Sequence, residues 1–169
     1  MVLNHTEQLI VWEKIYTQLH FKPSCSCRIH SFEVNAPFEI EDVFSVYGIE
    51  NMSDAQLDRM DDIIRQIFID VTTAHERMYA LDWNHSAFLY APRKIEEQRD
   101  VWIEIDSGNG YFAYFPAFFP DGDYYFFIDE NFRFGYLGHP WRQEVWIFGE
   151  LLVPKFEHVY HELGWSKLK

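Results

Sequence analysis

Aspartate and histidine residues, the types that transfer protons or hold a ligand, recur in three short motifs of the C-terminal half. In the first motif, Asp82 and His85 are three residues apart. A carboxylate at this spacing can orient an imidazole for acid–base chemistry, but it can also order a turn. The turn is the favoured interpretation, because aspartate in turns is far commoner than a catalytic dyad.

The second motif, Asp121-Gly122-Asp123, has the first positions of a calcium-binding loop. Such a loop needs a bidentate glutamate at its twelfth position, and Phe132 stands there instead. We therefore expect a hairpin turn in which Gly122 adopts a positive φ.

The third motif is Gly138-His139-Pro140-Trp141. Gly138 permits an unusual backbone angle, and Pro140 biases His139 towards an extended conformation. A turn that locks the sheet is the favoured interpretation. An imidazole held beside Trp141 would also suit a recognition point or a general base.

We take the candidate binding residues from these motifs: Asp82, Trp83, His85, Asp121, Asp123, Tyr125, His139 and Trp141. No metal and no cofactor are expected. Cys25 and Cys27 lack the second ligand pair of a zinc site and are interpreted as reduced thiols.

The net charge of the chain favours some classes of binding partner and disfavours others. The chain has 169 residues, a formal net charge of -13 and 19% aromatic residues. This acidity disfavours nucleic acid and anionic membranes, which need cations, and favours a basic protein partner. No apolar run is long enough for a membrane span, and the N-terminus does not resemble a signal peptide, so a cytoplasmic protein is expected.

The acidic residues fall into two blocks without any lysine or arginine. Residues Ile29–Asp58 contain seven carboxylates, and residues Glu104–Glu130 contain six. In the second block, ten of the 17 residues from Tyr111 to Phe127 are Phe or Tyr. We expect some of these rings to line an exposed groove and the two blocks to form one electronegative docking surface. The alternative is a Phe-rich core beside acidic turns.

Apolar spacing predicts the elements that position these motifs. A helix over 6–20 would bury Leu9, Trp12, Tyr16 and Leu19, and a capping box at Ser53 and Gln56 begins a long helix over about 54–76. A last helix is expected over about 151–162. Predicted strands cover 28–34, 38–47, 85–90, 101–105, 111–115, 123–128, 132–137 and 143–148.

Strands that follow one another, with helices before and after, are typical of an α+β protein. We predict a single α+β domain over 1–169, with an antiparallel sheet of about five to seven strands and the helices packed on one face.

The motifs Ala80–His85, Pro120–Phe127 and Phe134–Trp141, in this order, resemble a bacterial family catalogued only as a domain of unknown function. The resemblance extends over about residues 80–152. It implies that the three motifs act as a set, and it supplies no activity. In size and charge the chain is also similar to immunity proteins that neutralise bacterial toxins.

Three functions remain open. The first hypothesis is a non-enzymatic, acidic protein-binding module, more specifically an immunity protein for a cationic toxin. The alternative is a small hydrolase-like enzyme that uses His85 and His139 with Asp82, Asp121 or Asp123; convergence of these side chains on one cleft would favour it. The third is a ligand-binding domain with an aromatic-lined pocket.

Overall fold

Secondary structure in the computed structural model is described for residues 1–23, 36–50, 52–83 and 85–169. Cys25, Cys27 and the predicted strand over 28–34 lie outside the described residues. The helices are α1 (His5–Gln18), α2 (Asp54–Val71) and α3 (Val153–Val159), with a short 3-10 helix at Ile95–Glu97. The strands are β1 (Phe44–Gly48), β2 (Met78–Asp82), β3 (Ala87–Tyr90), β4 (Val101–Asp106), β5 (Asn109–Ala113), β6 (Tyr125–Asp129), β7 (Gly135–His139), β8 (Glu144–Phe148) and β9 (Ser166–Lys167).

Within the described residues, seven strands form one sheet in the order β3-β2-β6-β7-β8-β1-β9, and every neighbouring pair is antiparallel. Strands β4 and β5 form a separate two-stranded hairpin. The predicted α+β class and the antiparallel sheet are therefore confirmed, at the upper end of the expected strand number.

The helices cover both faces of the sheet, which corrects the expectation that they lie on one face. Phe127 and Tyr136 belong to one buried cluster with residues of α2 and α3, whereas Phe126 and Leu137 belong to a second cluster with residues of α1. The physical reason is in the central strands, such as Phe126-Phe127-Ile128 of β6. They are apolar on both faces, so each face needs a cover.

Helix α1 buries the predicted face only in part. Leu19 is 5% exposed and Trp12 packs against the core, as expected, but Leu9 is 57% and Tyr16 is 40% exposed, and Ile15 is fully buried instead. Because residues 9–12 are all apolar, spacing alone permits more than one buried face. Packing against the side chains of β6 determines that the face of α1 containing Ile15 is the buried one.

Helix α2 begins at the predicted capping box of Ser53 and Gln56 but ends at Val71 instead of about 76. Thr72 is extended, and the Arg93 guanidinium donates hydrogen bonds to the carbonyls of Ile69 at 2.6 Å and Thr72 at 2.9 Å. These bonds satisfy carbonyl groups that a longer helix would have used. The chain then extends and forms β2, a strand that was not among those predicted.

Two other predicted elements are shorter in the structure. Helix α3 covers 153–159 rather than 151–162. The strand predicted over 38–47 is β1, which begins only at Phe44. Phe38 instead inserts into the core, where it is 2% exposed and stacks on Phe21 with ring centroids 5.3 Å apart.

Among the described residues, no helix is both long and apolar enough to cross a membrane.

Candidate functional site

The first motif closes a tight connection between β2 and β3. Asp82 is the last residue of β2; its N–H donates to the Ser86 carbonyl at 2.8 Å, and the His85 N–H donates to the Asp82 carbonyl at 3.1 Å. The same connection brings the His85 Nδ1 to 3.0 Å from Asp82 Oδ1. The motif is thus both the predicted turn and a carboxylate–imidazole pair.

Asp123 joins this pair from the segment that precedes β6. Tyr125 is paired with Asp82 across β2 and β6, so Asp123, two residues earlier, lies at the same end of the sheet. Its Oδ2 is 3.6 Å from His85 Nδ1. The predicted hairpin turn at this motif is wrong: β6 pairs with β2 and β7 rather than β5, and Gly122 does not have a positive φ.

The two carboxylates are largely shielded from water, and the imidazole is exposed. The side chains of Asp82 and Asp123 are 14% and 18% exposed, against 64% for His85. Burial raises the pKa of the Asp82 carboxyl, an effect that its hydrogen bond with His85 opposes. Burial also raises the pKa of Asp123. The hydrogen bond from Asp82 raises the pKa of His85, because it favours the imidazolium.

Asp121 and Tyr125 complete this group, which we call the acidic cluster: Asp82, His85, Asp121, Asp123 and Tyr125. The Tyr125 hydroxyl donates to Asp121 Oδ1 at 3.1 Å. Burial is the main cause of the raised pKa of Tyr125, and the negative charge of Asp121 raises it further. Five of the eight candidate residues therefore lie close together.

The other three candidates, Trp83, His139 and Trp141, pack on the opposite face of the sheet. Trp83 and Trp141 contact the core cluster below α1, and the His139 ring lies 6.1 Å from the Trp141 ring. His139 is 1% exposed, and its Nε2 is 3.2 Å from the Tyr124 hydroxyl. His139 and His85 therefore do not share a cleft, which corrects the hypothesis of an enzyme that uses both.

Gly138 serves a purpose other than the predicted unusual backbone angle. It lies within β7 and does not have a positive φ. A Cβ placed there would be 3.0 Å from the Pro120 Cβ and 3.1 Å from the Tyr125 carbonyl oxygen. Glycine thus allows the segment carrying Asp121 and Asp123 to cross closely over β7.

Clefts lie on both sides of His85. One has a volume of about 440 Å³ and is lined by Asp82, His85, Ser86, Tyr111, Phe112, Ala113 and Tyr114. The other, of about 480 Å³, includes His85, Ile103 and Tyr111 together with residues 2–5 and Gln8. Both clefts are bounded by the β4–β5 hairpin, whose end is held by a 2.5 Å hydrogen bond from Ser86 Oγ to the Tyr114 carbonyl.

The outer side of this hairpin carries three exposed rings, which we call the hairpin aromatic surface: Trp102, Phe112 and Tyr114. They are 49%, 51% and 62% exposed. The rings of Trp102 and Phe112 are 5.0 Å apart, and those of Phe112 and Tyr114 are 6.1 Å apart. The aromatic content of Tyr111–Phe127 predicted exposed rings, but the sequence did not indicate that Trp102 would join them.

The two acidic blocks do not form one surface, contrary to the prediction. Asp54 and Asp58 lie at the start of α2, where the adjacent Arg59 pairs with Glu162 near the β9 edge. Strands β7, β8 and β1 separate that edge from β2 and β6. Within the blocks, Asp129 is also paired with Arg133 at 2.7 Å, and Glu39 with Lys22.

Taken together, these features define a small α+β protein with an antiparallel sheet, a local acidic cluster and an exposed aromatic hairpin beside it. The chain belongs to the family described as "Protein of unknown function (DUF2716)", whose profile matches residues 2–153. This confirms the resemblance seen in the sequence motifs.

One curated relative is similar over nearly its whole length. The "Uncharacterized protein YxiI" of Bacillus subtilis (strain 168) is 28% identical over 160 residues, which cover 92% of this chain and 91% of that protein. No solved structure matches the chain.

Proposed function

We propose that this protein is a non-enzymatic binding module for a basic protein, and more specifically an immunity protein that neutralises a cationic bacterial toxin. The observation that carries the proposal is the hairpin aromatic surface beside the acidic cluster. The acidic composition of the chain and its similarity in size and charge to immunity proteins agree with it.

The hairpin aromatic surface has the chemistry of a binding hot spot. Aromatic residues, tryptophan and tyrosine above all, dominate the energetics of protein interfaces because each buries a large area with few rotatable bonds. The hairpin is also held in place, since Val101 and Ile103 pack on the core and Ala113 is 2% exposed. A partner would therefore meet rings that are already positioned.

Charge around the hairpin favours a cationic partner. No lysine or arginine occurs between Arg99 and Arg133. Glu104 and Asp106 are exposed on β4, and Asp82 of the acidic cluster lines the cleft that Phe112 and Tyr114 also line. Complementary charge of this kind accelerates association and disfavours anionic partners.

The test is co-expression of the tagged full chain with the product of the adjacent gene, followed by co-purification and a growth-rescue assay. A double variant Trp102→Ala/Phe112→Ala is compared with Leu9→Ala/Ile10→Ala, which removes two exposed apolar side chains from α1 instead. We expect the hairpin variant to weaken binding at least tenfold, since one hot-spot residue contributes about 2 kcal/mol. The α1 variant should bind and rescue growth as the unchanged protein does.

Salt separates charge-guided binding from general adhesion. Association should slow as the salt concentration rises from 50 to 500 mM, because the Debye length shortens from about 14 to about 4 Å. Lack of growth rescue, equal binding by both variants, or binding that is insensitive to salt would contradict the proposal.

A small hydrolase-like enzyme is the second candidate, and the acidic cluster beside the 440 Å³ cleft is the observation that favours it. Asp82 binds Nδ1 of His85, so Nε2 is the nitrogen left to exchange a proton with a substrate. Hydrolysis of p-nitrophenyl esters or phosphoesters that is lost in His85→Ala and kept in Leu9→Ala/Ile10→Ala, whose changes lie outside the cleft, would support this candidate. Equal rates in His85→Ala and the unchanged protein would contradict it.

A further inference from the structure

Three potential metal ligands of different type converge at the end of β2 and the start of β6. An oxygen of Asp82, an oxygen of Asp123 and a ring nitrogen of His85 all lie within 4.8 Å of one another. Among the described residues, no other group of three or more histidine, cysteine, aspartate or glutamate side chains has this geometry. We propose that Asp82, His85 and Asp123 bind a divalent transition-metal ion.

The distances suit a shared ion. Ligand atoms about 2.1 Å from one ion lie about 3.0 to 3.4 Å apart in octahedral or tetrahedral geometry. The observed separations from His85 Nδ1 are 3.0 Å to Asp82 and 3.6 Å to Asp123. Small side-chain movements would therefore place all three atoms around one centre, once Nδ1 has lost its proton.

The local charge is unbalanced without a cation. Asp82 and Asp123 are largely buried, and Asp121 adds a third carboxylate close enough to act on Asp82. Within the ranges that the structure describes, the ion pairs of Asp82 and Asp123 involve His85 and no lysine or arginine. One imidazolium offsets at most one of these charges, whereas a divalent ion offsets two.

The donor set selects the class of ion. Imidazole nitrogen favours Zn²⁺ and the neighbouring transition metals over Ca²⁺ and Mg²⁺, and carboxylate oxygen also binds Zn²⁺. Three protein ligands leave at least one coordination position for water or another molecule. Asp82 and His85 both line the 440 Å³ cleft, so that position would be reached from the cleft.

This site goes beyond the proposed function and does not depend on it. Metal binding concerns the carboxylate–imidazole group, whereas partner binding is tested at Trp102 and Phe112. The Trp102→Ala/Phe112→Ala variant should therefore bind metal as the unchanged protein does, and each proposal can fail alone.

The experiment is isothermal titration of the chelator-treated, full-length chain with Zn²⁺, in a Cys25→Ser/Cys27→Ser background that removes thiol ligands. We expect about one ion per chain and a rise in the unfolding temperature on binding. Asp123→Asn and His85→Ala should each weaken binding at least tenfold. Two exposed replacements elsewhere, Asp58→Asn and His158→Ala, are the matched controls and should not weaken it.

Co²⁺ gives a second readout, because its visible spectrum reports the number and type of ligands. The spectrum of the unchanged chain should differ from that of free Co²⁺, and Asp123→Asn should abolish the difference. Circular dichroism of each variant verifies that it is folded. Absence of Zn²⁺ binding, or binding that the site variants and the controls weaken equally, would overturn the proposal.

Discussion

His139 is a histidine that its surroundings keep neutral. It is 1% exposed, and burial lowers its pKa to about 3, with a further contribution from Arg142. The backbone N–H of Arg142 donates to Nδ1 at 3.4 Å, so the ring proton belongs on Nε2, which can then donate to the Tyr124 hydroxyl at 3.2 Å. His139 of the third motif, which the sequence suggested as a recognition point, is therefore part of the core.

This burial predicts how stability depends on pH. In the unfolded chain a histidine titrates near its ordinary pKa of about 6.5, so between pH 6.5 and 3 the unfolded state binds the extra proton and folding is penalised. From pH 7.5 to pH 5.0, the free energy of unfolding of the unchanged protein should fall by about 2 kcal/mol more than that of His139→Gln. Urea unfolding at the two pH values measures the difference.

His158→Gln is the matched control, because it removes an exposed histidine from α3 and should leave the pH dependence of the unchanged protein intact. The imidazole proton resonances of His139 give a measurement that does not rely on the variant. They should remain at their neutral positions down to pH 4, and a midpoint near pH 6.5 would contradict the assignment.

Helix α1 shows how packing, rather than spacing, selects a buried face. Ile15 is fully buried and Leu9 is 57% exposed. Ile15→Ala should lower the free energy of unfolding by about 2 to 5 kcal/mol, because it leaves a cavity against the sheet. Leu9→Ala should change it by no more than about 0.5 kcal/mol. Urea denaturation of the two variants decides between the faces, and the reverse order would restore the sequence-based one.

Elements whose signals are local could be predicted from the sequence. The capping box at Ser53 and Gln56 lies where expected, and the predicted strand near each of β6, β7 and β8 exists within a few residues. Strand β2 was missed, because Met78–Leu81 is a short, continuous apolar run, which spacing alone does not assign to a strand.

The site could be predicted only in part, because some of its contacts are local in the chain and others depend on the folded sheet. Asp82 and His85 are neighbours in the chain, so their pairing could be suspected from the sequence. Asp123 reaches them only because β6 lies beside β2, and His139 leaves them because alternate residues of β7 face opposite sides. Strand order and side-chain alternation are properties of the folded sheet, and short motifs do not encode them.

On the scale of the whole molecule, terminal segments of the chain cover both edges of the large sheet. At one edge, the Leu3 N–H donates to the Ala87 carbonyl at 2.8 Å, and Val2 forms a bridge with Phe88 on β3. At the other edge, β9 pairs with β1, and the Leu168 N–H donates to the Val46 carbonyl at 2.8 Å. Exposed edges of apolar strands promote association between chains, so these segments protect the sheet.

Removal of residues 166–169 should therefore both destabilise the protein and make it self-associate. The deletion keeps the buried Trp165 but frees the edge of β1 and loses a few backbone hydrogen bonds, each worth about 1 kcal/mol net. We expect the free energy of unfolding to fall by about 2 to 3 kcal/mol and light scattering to show oligomers that grow with concentration. Leu168→Ala keeps the backbone and the ion pair of Lys167 with Glu157, so this variant should have the size and stability of the unchanged protein. A deleted form of unchanged size and stability would mean that β1 needs no cover, because its short length already disfavours pairing with another chain.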